Sequence, residues 1–192
     1  MIAATVTEAT PTPAANTVDP THFRRVLGNF CTGVAVIATV ENGEPVGFAC
    51  QSFSALSLDP PLVLFCPAKS SRAWAAIERV GHFTVNLLAA DQHEVSTVFG
   101  RRGEDKFAKT RWTPSPGGAP VLDNVLAWID CEVGDVLDGG DHHIVTGRVT
   151  TLSAGGPTAP LLFYRGAYAA IDETTPATIA IDQLACRPDD WF

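Results

Sequence analysis

Apolar residues recur at helical spacing near the start of the chain and change to a strand pattern soon afterwards. Asp19 and Pro20 are typical of a helix N-cap and a first helical position. The apolar residues that follow share one face of the predicted helix, which we expect to be buried: Phe23, Val26, Leu27 and Phe30. From residue 33 a continuous apolar run to residue 40 predicts a buried strand.

Further strand-like segments are separated by short turn signals over most of the remaining sequence. After 33–40, strands are expected at 45–53, 62–66, 82–88, 127–133, 142–152 and 161–171. Turns such as Asn42-Gly43 and 138–141 are short enough to make neighbouring strands antiparallel. Six or seven such strands predict a mainly β fold with short helices, which we interpret as a closed barrel with helical caps.

Two more short helices are expected between these strands. Ser70 or Ser71 is a suitable cap for the first. Residues 91–94 resemble a capping box that opens the second. The apolar residues of that second helix are expected to be buried: Val95, Val98 and Phe99.

The segments without periodicity suggest how the chain is organised. Residues 1–18 are Ala-, Thr- and Pro-rich with almost no charge, so we expect a disordered tail. Residues 19–172 are expected to form one domain, followed by a weakly patterned extension over 173–192. Residues 100–120 are polar and rich in Gly and Pro, which is typical of a long functional or mobile surface loop.

Composition narrows the class of protein. The chain has 13 Lys and Arg against 21 Asp and Glu, a net charge of −8, which argues against nucleic acid as a partner but leaves room for a local basic pocket. No apolar run approaches the roughly 18 residues of a spanning helix, and no secretory signal is visible. We therefore expect a cytoplasmic protein. The five cysteines contain no C-x-x-C pair, so most are interpreted as small buried residues, with a nucleophilic Cys31 or Cys50 left open.

The most informative stretch runs from residue 47 to residue 74. Small and hydroxylated residues interrupt a strand end over 48–57, where a planar ligand could lie against backbone N–H groups. Lys69 and Arg72 flank two serines at a helix start, a combination that suits a phosphate group. The alternative is a serine-capped helix whose cations are only solvated.

A second constellation combines residues 139–143 with residues 163–168. Its glycines would let a ligand approach the backbone closely, and a histidine beside a turn can donate to a carbonyl group. The alternative is an ordinary turn with a core histidine. His142 and His143 are adjacent on a predicted strand and should point to opposite faces, so we expect no metal site. Neither a Rossmann glycine motif nor a P-loop is present in the sequence.

Taken in order, these stretches resemble the flavin reductase family, the small reductase components of two-component flavin-dependent monooxygenases. The segments that carry the resemblance lie within residues 19–171: 30–34, 47–53, 57–65, 71–74, 83–88, 105–107, 140–142 and 162–166. Within the family, residues 47–53 and the Asp190-Trp191 ending are most similar to reductase partners of actinobacterial monooxygenases that hydroxylate a phenolic secosteroid.

The resemblance implies a split β-barrel of the flavin reductase or FMN-binding type, usually a homodimer with flavin near the subunit interface. The implied reaction transfers hydride from NADH to FMN or FAD, and the reduced flavin passes to a separate monooxygenase. NADPH is less favoured, because no arginine cluster for its extra phosphate is evident outside the flavin site. The alternative is a non-reductase FMN-binding barrel related to pyridoxamine-phosphate oxidase, acting as an oxidase, sensor or flavin store.

The resemblance also implies roles for individual residues. The flavin ring would lie along Phe48, Ala49, Cys50, Gln51, Ser52 and Phe53. Its phosphate would be held by Ser57, Lys69, Ser70, Ser71 and Arg72. His142 would position the nicotinamide as the catalytic residue, with Tyr164, Arg165 and Tyr168 on the same side. The apolar residues to check at a dimer interface are Phe99, Trp128, Trp191 and Phe192.

Overall fold

The computed structural model describes residues 18–103, 105–156 and 159–171. The expected tail, apart from Val18, and the expected extension over 173–192 lie outside the described residues, as do Trp191 and Phe192. The described helices are α1 (Pro20–Leu27), α2 (Arg72–Val80) and α3 (His93–Gly100). The described strands are β1 (Thr32–Gly33), β2 (Ala35–Glu41), β3 (Glu44–Cys50), β4 (Ser54–Leu58), β5 (Pro61–Phe65), β6 (His82–Leu87), β7 (Trp112–Pro114), β8 (Pro120–Leu122), β9 (Ala127–Gly139), β10 (His142–Ala154), β11 (Leu162–Tyr164) and β12 (Ala167–Ala169).

The strands form one large antiparallel sheet and two small ones. The large sheet has seven strands in the order β3-β2-β6-β9-β10-β5-β4. The small sheets are β1-β11-β12 and the pair β7-β8. The expected mainly β fold with antiparallel strands and short helices is thus confirmed. Because β3 is an edge strand of the large sheet, its outer backbone groups have no strand neighbour in that sheet.

Strand β2 is buried on both faces, which explains why it reads as a continuous apolar run. Ala35 and Ile37 pack into one hydrophobic cluster, which also contains Phe65 and Trp74. The residues that alternate with them pack into a second cluster on the other face: Val34, Val36 and Ala38. Successive side chains of a strand point to opposite faces, so β2 joins the two halves of the core.

Helix α1 begins as predicted, but its apolar face is not buried by the described residues. The carboxylate of Asp19 accepts a hydrogen bond from the His22 amide at 2.7 Å. Phe23 is 55% exposed and Phe30 is 76% exposed, and Val26 and Leu27 are exposed as well. Helical spacing identifies an apolar face but not the element that covers it, so the expectation of burial was wrong within this chain.

Other expectations about the elements were wrong in part. The strand predicted at 45–53 ends early, at Cys50, and is followed by β4, which the sequence did not predict. The segment 161–171 is a hairpin, because Arg165 and Gly166 adopt φ values of 49° and 81° and reverse the chain between β11 and β12. Residues 100–120, expected to form a functional or mobile surface loop, contain the short strand β7 and the buried Phe107, which attach part of this segment to the fold.

The capping box predicted for α3 does not form. Gln92 is the N-cap residue and makes no side-chain cap bond. The side-chain amide of Gln92 instead accepts a hydrogen bond from the Ala89 backbone N–H at 2.9 Å and donates one to the Asp123 carbonyl at 2.8 Å. Val98, which was expected to be buried, is exposed. Phe99 is only 1% exposed and lies in the core of its own chain, so it cannot contribute to a dimer interface. None of the helices in the described ranges is long and apolar enough to cross a membrane.

Candidate active site

One cavity of about 1340 Å³ contains most of the residues predicted to bind ligand. Strand β3 and the residues after it form its floor, the start of α2 forms one wall, and the segment after α3 forms the other. The predicted residues that line it are Phe48, Ala49, Cys50, Gln51, Ser52, Ser70, Ser71, Arg72 and His142. The fold therefore brings the first constellation together with His142 of the second, about ninety positions away from Phe48 in the sequence.

The floor of the cavity is shaped by close packing at β3. A Cβ atom added to Gly47 would lie 2.9 Å from the Ile37 carbonyl oxygen and 3.2 Å from the Phe99 ring, so only glycine fits there. At the other end of β3, the Ser52 hydroxyl donates to the Cys66 carbonyl at 3.1 Å and accepts from the Cys66 amide at 3.0 Å. The hydroxyl of Ser52 therefore joins two loops at one corner of the cavity.

The expectation that most cysteines are buried holds for two of the four described cysteines, and Cys186 lies outside the described residues. Cys50 and Cys131 are buried, and burial raises the pKa of both thiols, that of Cys131 to about 12. A thiol with a raised pKa is a poor nucleophile at neutral pH, so the structure does not favour a nucleophilic Cys50. Cys31 is exposed and Cys66 is half-buried at the cavity.

The start of α2 presents groups that suit an anion. Ser71 is the N-cap residue, and its hydroxyl accepts from the Trp74 amide at 3.2 Å. Trp74 and Ile77 are buried and fix the helix against the sheet. The first backbone N–H groups of a helix lack intrahelical partners and carry the positive end of its dipole. Ser70 and Arg72 lie at this end and line the cavity.

Lys69 does not line the cavity. Its ammonium group lies 2.6 Å from the Asp138 carboxylate, and this contact lowers the pKa of Asp138. The Lys69 amide donates to the Asp141 carbonyl at 3.0 Å. These contacts connect the segment before α2 to the turn between β9 and β10.

That connection places His142 at the cavity. Nδ1 of His142 lies 2.7 Å from Oδ1 of Asp141, and because a carboxylate only accepts, the ring donates from Nδ1. The neighbouring imidazole lowers the pKa of Asp141. His143 points elsewhere, with its ring 5.9 Å from the Trp74 ring, as expected for adjacent strand residues. Within the described ranges, no group of three or more His, Cys, Asp or Glu residues is placed to hold a metal ion.

Besides Lys69, two further predicted flavin ligands lie away from the cavity. Phe53 lines a separate apolar cavity of about 130 Å³ with Leu87 and Leu161. Ser57 lies on β4 beside an irregularity in its pairing with β5, opposite Leu62.

The predicted nicotinamide residues on the β11–β12 hairpin also lie outside the cavity of this chain. Arg165 donates from Nε to the Asn29 side chain at 2.9 Å, and its guanidinium lies 5.1 Å from the centre of the Tyr164 ring. The Tyr168 hydroxyl donates to the Ser96 hydroxyl at 3.0 Å. These contacts attach the hairpin to the chain after α1 and to α3.

The sequence did not show that most of the charged residues described below line the cavity. Among the described residues, two acidic side chains line it, Glu41 and Asp105, and five basic ones do so: Arg72, Arg79, Arg101, Arg102 and Lys106. A positive cavity therefore lies in a chain of net charge −8. The adjacent arginines 101–102 and the 105–107 segment were visible signals, but nothing in the sequence showed that they face β3.

Lys106 holds one wall of the cavity against the floor. Its ammonium group donates to the Phe99 carbonyl at 2.8 Å and to the Gly47 carbonyl at 3.2 Å. Burial lowers the pKa of Lys106, and the positive charge of Arg72 lowers it further. Arg72 and Lys106 both line the cavity, so two positive charges lie at the same site.

The chain matches one family model and is similar to several known proteins. The model of the flavin reductase like domain matches residues 27–172. The chain is 58% identical over 166 residues to the reductase subunit HsaB of a flavin-dependent monooxygenase from Rhodococcus jostii, covering 85% of each chain. It is 38% identical over 180 residues to a flavin reductase (NADH) of Kitasatospora aureofaciens, covering 90% of this chain and 93% of the relative.

Solved structures agree with these relatives. Nitrilotriacetate monooxygenase component B from Mycobacterium thermoresistibile has a TM-score of 0.81 and 55% identity, covering 91% of this chain and 99% of the other. The NADH:FAD oxidoreductase SgcE6 of Streptomyces globisporus, solved with NAD and FAD fragments, has a TM-score of 0.78 and 32% identity. That alignment covers 83% of this chain and 98% of the other.

Proposed function

Since the chain belongs to the flavin reductase family, we propose that it transfers hydride from NADH to a free flavin and supplies the reduced flavin to a separate monooxygenase. The split β-barrel implied by the resemblance is confirmed by the structural relatives. The observation that carries the proposal is the positively charged cavity beside the start of α2 in an otherwise acidic chain.

The residues present fit a phosphorylated flavin. Edge strand β3 offers backbone donors and acceptors without a neighbouring strand on its outer side, and such groups suit the hydrogen-bonding edge of the flavin ring. The start of α2, with Ser70 and Arg72, suits the phosphate. When bound, the flavin accepts the hydride, and the chemistry of that transfer belongs to the two cofactors. The protein binds them, orients them and excludes water.

The site residues take graded roles in this proposal. Residues 48–52 hold the ring, and Ser70, Ser71 and Arg72 hold the phosphate. Lys69 and Ser57 support that end from outside the cavity. His142, oriented by Asp141, positions the nicotinamide, and it needs no acid or base role because hydride transfer itself moves no proton.

We propose that the protein acts as a homodimer. The predicted nicotinamide residues of the β11–β12 hairpin do not line the cavity of their own chain. In a dimer they would reach the cavity of the other subunit: Tyr164, Arg165 and Tyr168. The exposed apolar face of α1 offers surface for such a contact.

The remaining assignments follow the relatives. NADH is proposed as the donor because the Kitasatospora relative is named for it. A partner monooxygenase is proposed because the Rhodococcus relative is named as a reductase subunit. The resemblance at residues 47–53 suggests that the partner hydroxylates a phenolic substrate of the secosteroid class. The cytoplasm is the proposed compartment.

Steady-state oxidation of NADH by the purified protein tests this function. The reaction is run without flavin and with FMN, FAD or riboflavin, and then repeated with NADPH. We expect turnover that requires added flavin, saturates with it, and is faster with NADH than with NADPH. A yellow protein that binds flavin tightly and oxidises neither nucleotide would instead support the non-reductase FMN-binding alternative.

A further inference from the structure

We propose that Lys106 is a positioning residue, which fixes the corner between the floor and one wall of the cavity and so sets where along β3 a flavin ring binds. This inference rests on the proposed function. It gives Lys106 and Arg72 different tasks, although both line the cavity, because Lys106 acts on the ring and Arg72 on the phosphate.

The corner joins β3 to the end of α3 and to the segment that follows it. The ammonium group of Lys106 donates to the Phe99 carbonyl at 2.8 Å and to the Gly47 carbonyl at 3.2 Å. The Phe99 ring lies so close to Gly47 that an added Cβ atom there would be 3.2 Å from it. The wall therefore meets the floor at Gly47, and Lys106 bonds both sides of the corner.

The wall segment is attached to the fold by other contacts as well. Phe107 is buried, and its ring lies 4.9 Å from the Phe99 ring in an edge-to-face contact. The Phe107 amide also donates to the Asp105 carboxylate at 3.0 Å. Removal of the Lys106 ammonium group should therefore leave the segment folded and free the Gly47 carbonyl.

The outer edge of β3 shows what the bond to Gly47 controls. Backbone groups on one side of an antiparallel strand recur at every second residue. The Gly47 carbonyl faces the outer side, since it accepts from Lys106, and Pro45 and Ala49 hold the equivalent positions. Pro45 has no N–H group to donate, and the carbonyl of Gly47 is taken. Ala49 is therefore the first residue of this edge that offers both a donor and an acceptor to a ligand.

A flavin ring needs such a pair, because one of its edges carries carbonyl acceptors beside an N–H donor. With the Gly47 carbonyl held by Lys106, the ring binds from Ala49 onwards. Without Lys106, the Gly47 carbonyl becomes a competing acceptor, two residues or roughly 7 Å away along the strand. A ring bound there would be too far from the nicotinamide at His142, since hydride transfer requires the reacting atoms to be about 3–3.5 Å apart.

Three variants test this role. Lys106→Met removes the ammonium group and keeps a side chain of similar length, whereas Lys106→Arg keeps the charge and the donors. Lys109→Met is the matched control, because Lys109 is exposed in the same segment and does not line the cavity. Each variant is titrated with riboflavin and with FMN, the visible spectrum of the bound flavin is recorded, and its reduction by NADH is followed at saturating flavin.

Riboflavin is expected to respond more strongly than FMN, because the phosphate of FMN is still held at the start of α2. Lys106→Met should shift the visible spectrum of bound riboflavin and slow its reduction about 10-fold or more, since the ring is no longer held in one place. FMN should be affected less. Lys106→Arg and Lys109→Met should both remain close to the wild type.

Four results would overturn the positioning role. A loss of affinity confined to FMN would make Lys106 a phosphate ligand, and an unchanged spectrum and reduction rate of riboflavin would leave it without a role at the ring. An equal effect of Lys109→Met would show that any charge of the segment suffices. A Lys106→Met protein that fails to fold in urea titrations would show that the ammonium group holds the whole segment.

The proposed function is judged separately, because NADH oxidation with FMN is measured on the wild-type protein. A wild type that binds riboflavin with a spectrum dependent on Lys106, but never oxidises NADH, would refute the reductase and retain the positioning role.

Discussion

The ammonium group of Lys69 lies 2.6 Å from the carboxylate of Asp138, so the lysine expected to bind a phosphate is paired with the β9–β10 turn. Backbone bonds reinforce this contact, because the His143 amide donates to the Pro67 carbonyl at 2.9 Å. The phosphate end of the cavity and His142 are therefore built on one scaffold, in which the segment before α2 is attached to the start of β10.

This pairing predicts that Arg72 contributes more to phosphate binding than Lys69 does. Arg72→Met should weaken FMN binding about 10-fold or more, because a charge-assisted hydrogen bond is lost, and should leave riboflavin binding nearly unchanged. Lys69→Met should have a smaller effect on FMN binding, because the charge of Lys69 is already paired with Asp138. Fluorescence titration of both flavins checks this, and a larger loss of FMN affinity with Lys69→Met would contradict it.

The same pair predicts a pH dependence of stability. The pKa of Asp138 is lowered in the folded protein, first by Lys69 and then by the Gly140 amide. A group with a lowered folded pKa stabilises the fold above its unfolded pKa and loses that contribution as the pH falls through the folded value. Urea unfolding of the wild type and of Asp138→Asn should therefore differ at neutral pH and converge in acid. The difference is expected to be small, because the pair is exposed. A difference that persists unchanged in acid would contradict the assignment.

His142 is predicted to act on the nicotinamide and not on the flavin. His142→Ala should raise the KM for NADH or slow flavin reduction, while the dissociation constant of FMN stays nearly the same. Asp141→Asn should show a milder form of the same defect, because the bond to Nδ1 orients the ring. Stopped-flow reduction and flavin titration separate the two effects. Weaker flavin binding with unchanged reduction in both variants would assign His142 to the flavin instead.

Ser71 and Ser70 are adjacent but predicted to differ in their effect on stability. Ser71→Ala removes the cap that accepts from the Trp74 amide and should cost about 1 kcal/mol in the free energy of unfolding. Ser70→Ala is the matched control, because Ser70 is not the cap residue of α2. Urea unfolding of both variants measures the difference, and equal destabilisation would contradict the assignment of the cap.

The cysteines are predicted to differ sharply in reactivity. Of the four described cysteines, Cys31 is the exposed one and should be alkylated before the other three in the native protein. Cys131, whose pKa is raised to about 12, and the buried Cys50 should stay protected until the protein unfolds. Timed alkylation followed by peptide mass spectrometry checks the order. Alkylation of Cys131 or Cys50 before Cys31 would contradict the described burial.

Local patterns predicted much of the fold. The run at 33–40 became β2 because burial on both faces leaves an uninterrupted apolar sequence. The Asn42-Gly43 turn was predictable because both residues adopt positive φ, as a tight hairpin requires. Helix α2 was predictable from its serine cap and its buried Trp74.

Contacts between residues far apart in the sequence could not be predicted from such local patterns. The hairpin at 162–169 reverses at Arg165, which carries no turn signal as strong as an Asn-Gly pair. The exposed face of α1 shows the same helical spacing that a buried face would show. Lys106 reaches the cavity through bonds to Gly47 and Phe99, and a contact spanning 59 positions leaves no local trace. The parts of the site that could be predicted are those whose residues lie close together in the sequence.

Anaerobic mixing of NADH, FMN and catalytic amounts of the protein tests the proposed reductase activity most directly. We expect the visible absorbance of free FMN to bleach fully and one NADH to be consumed per flavin, at a rate proportional to the amount of protein. The Arg72→Met variant should need more FMN to reach the same rate. Flavin that stays oxidised while NADH persists would contradict the proposed reductase activity.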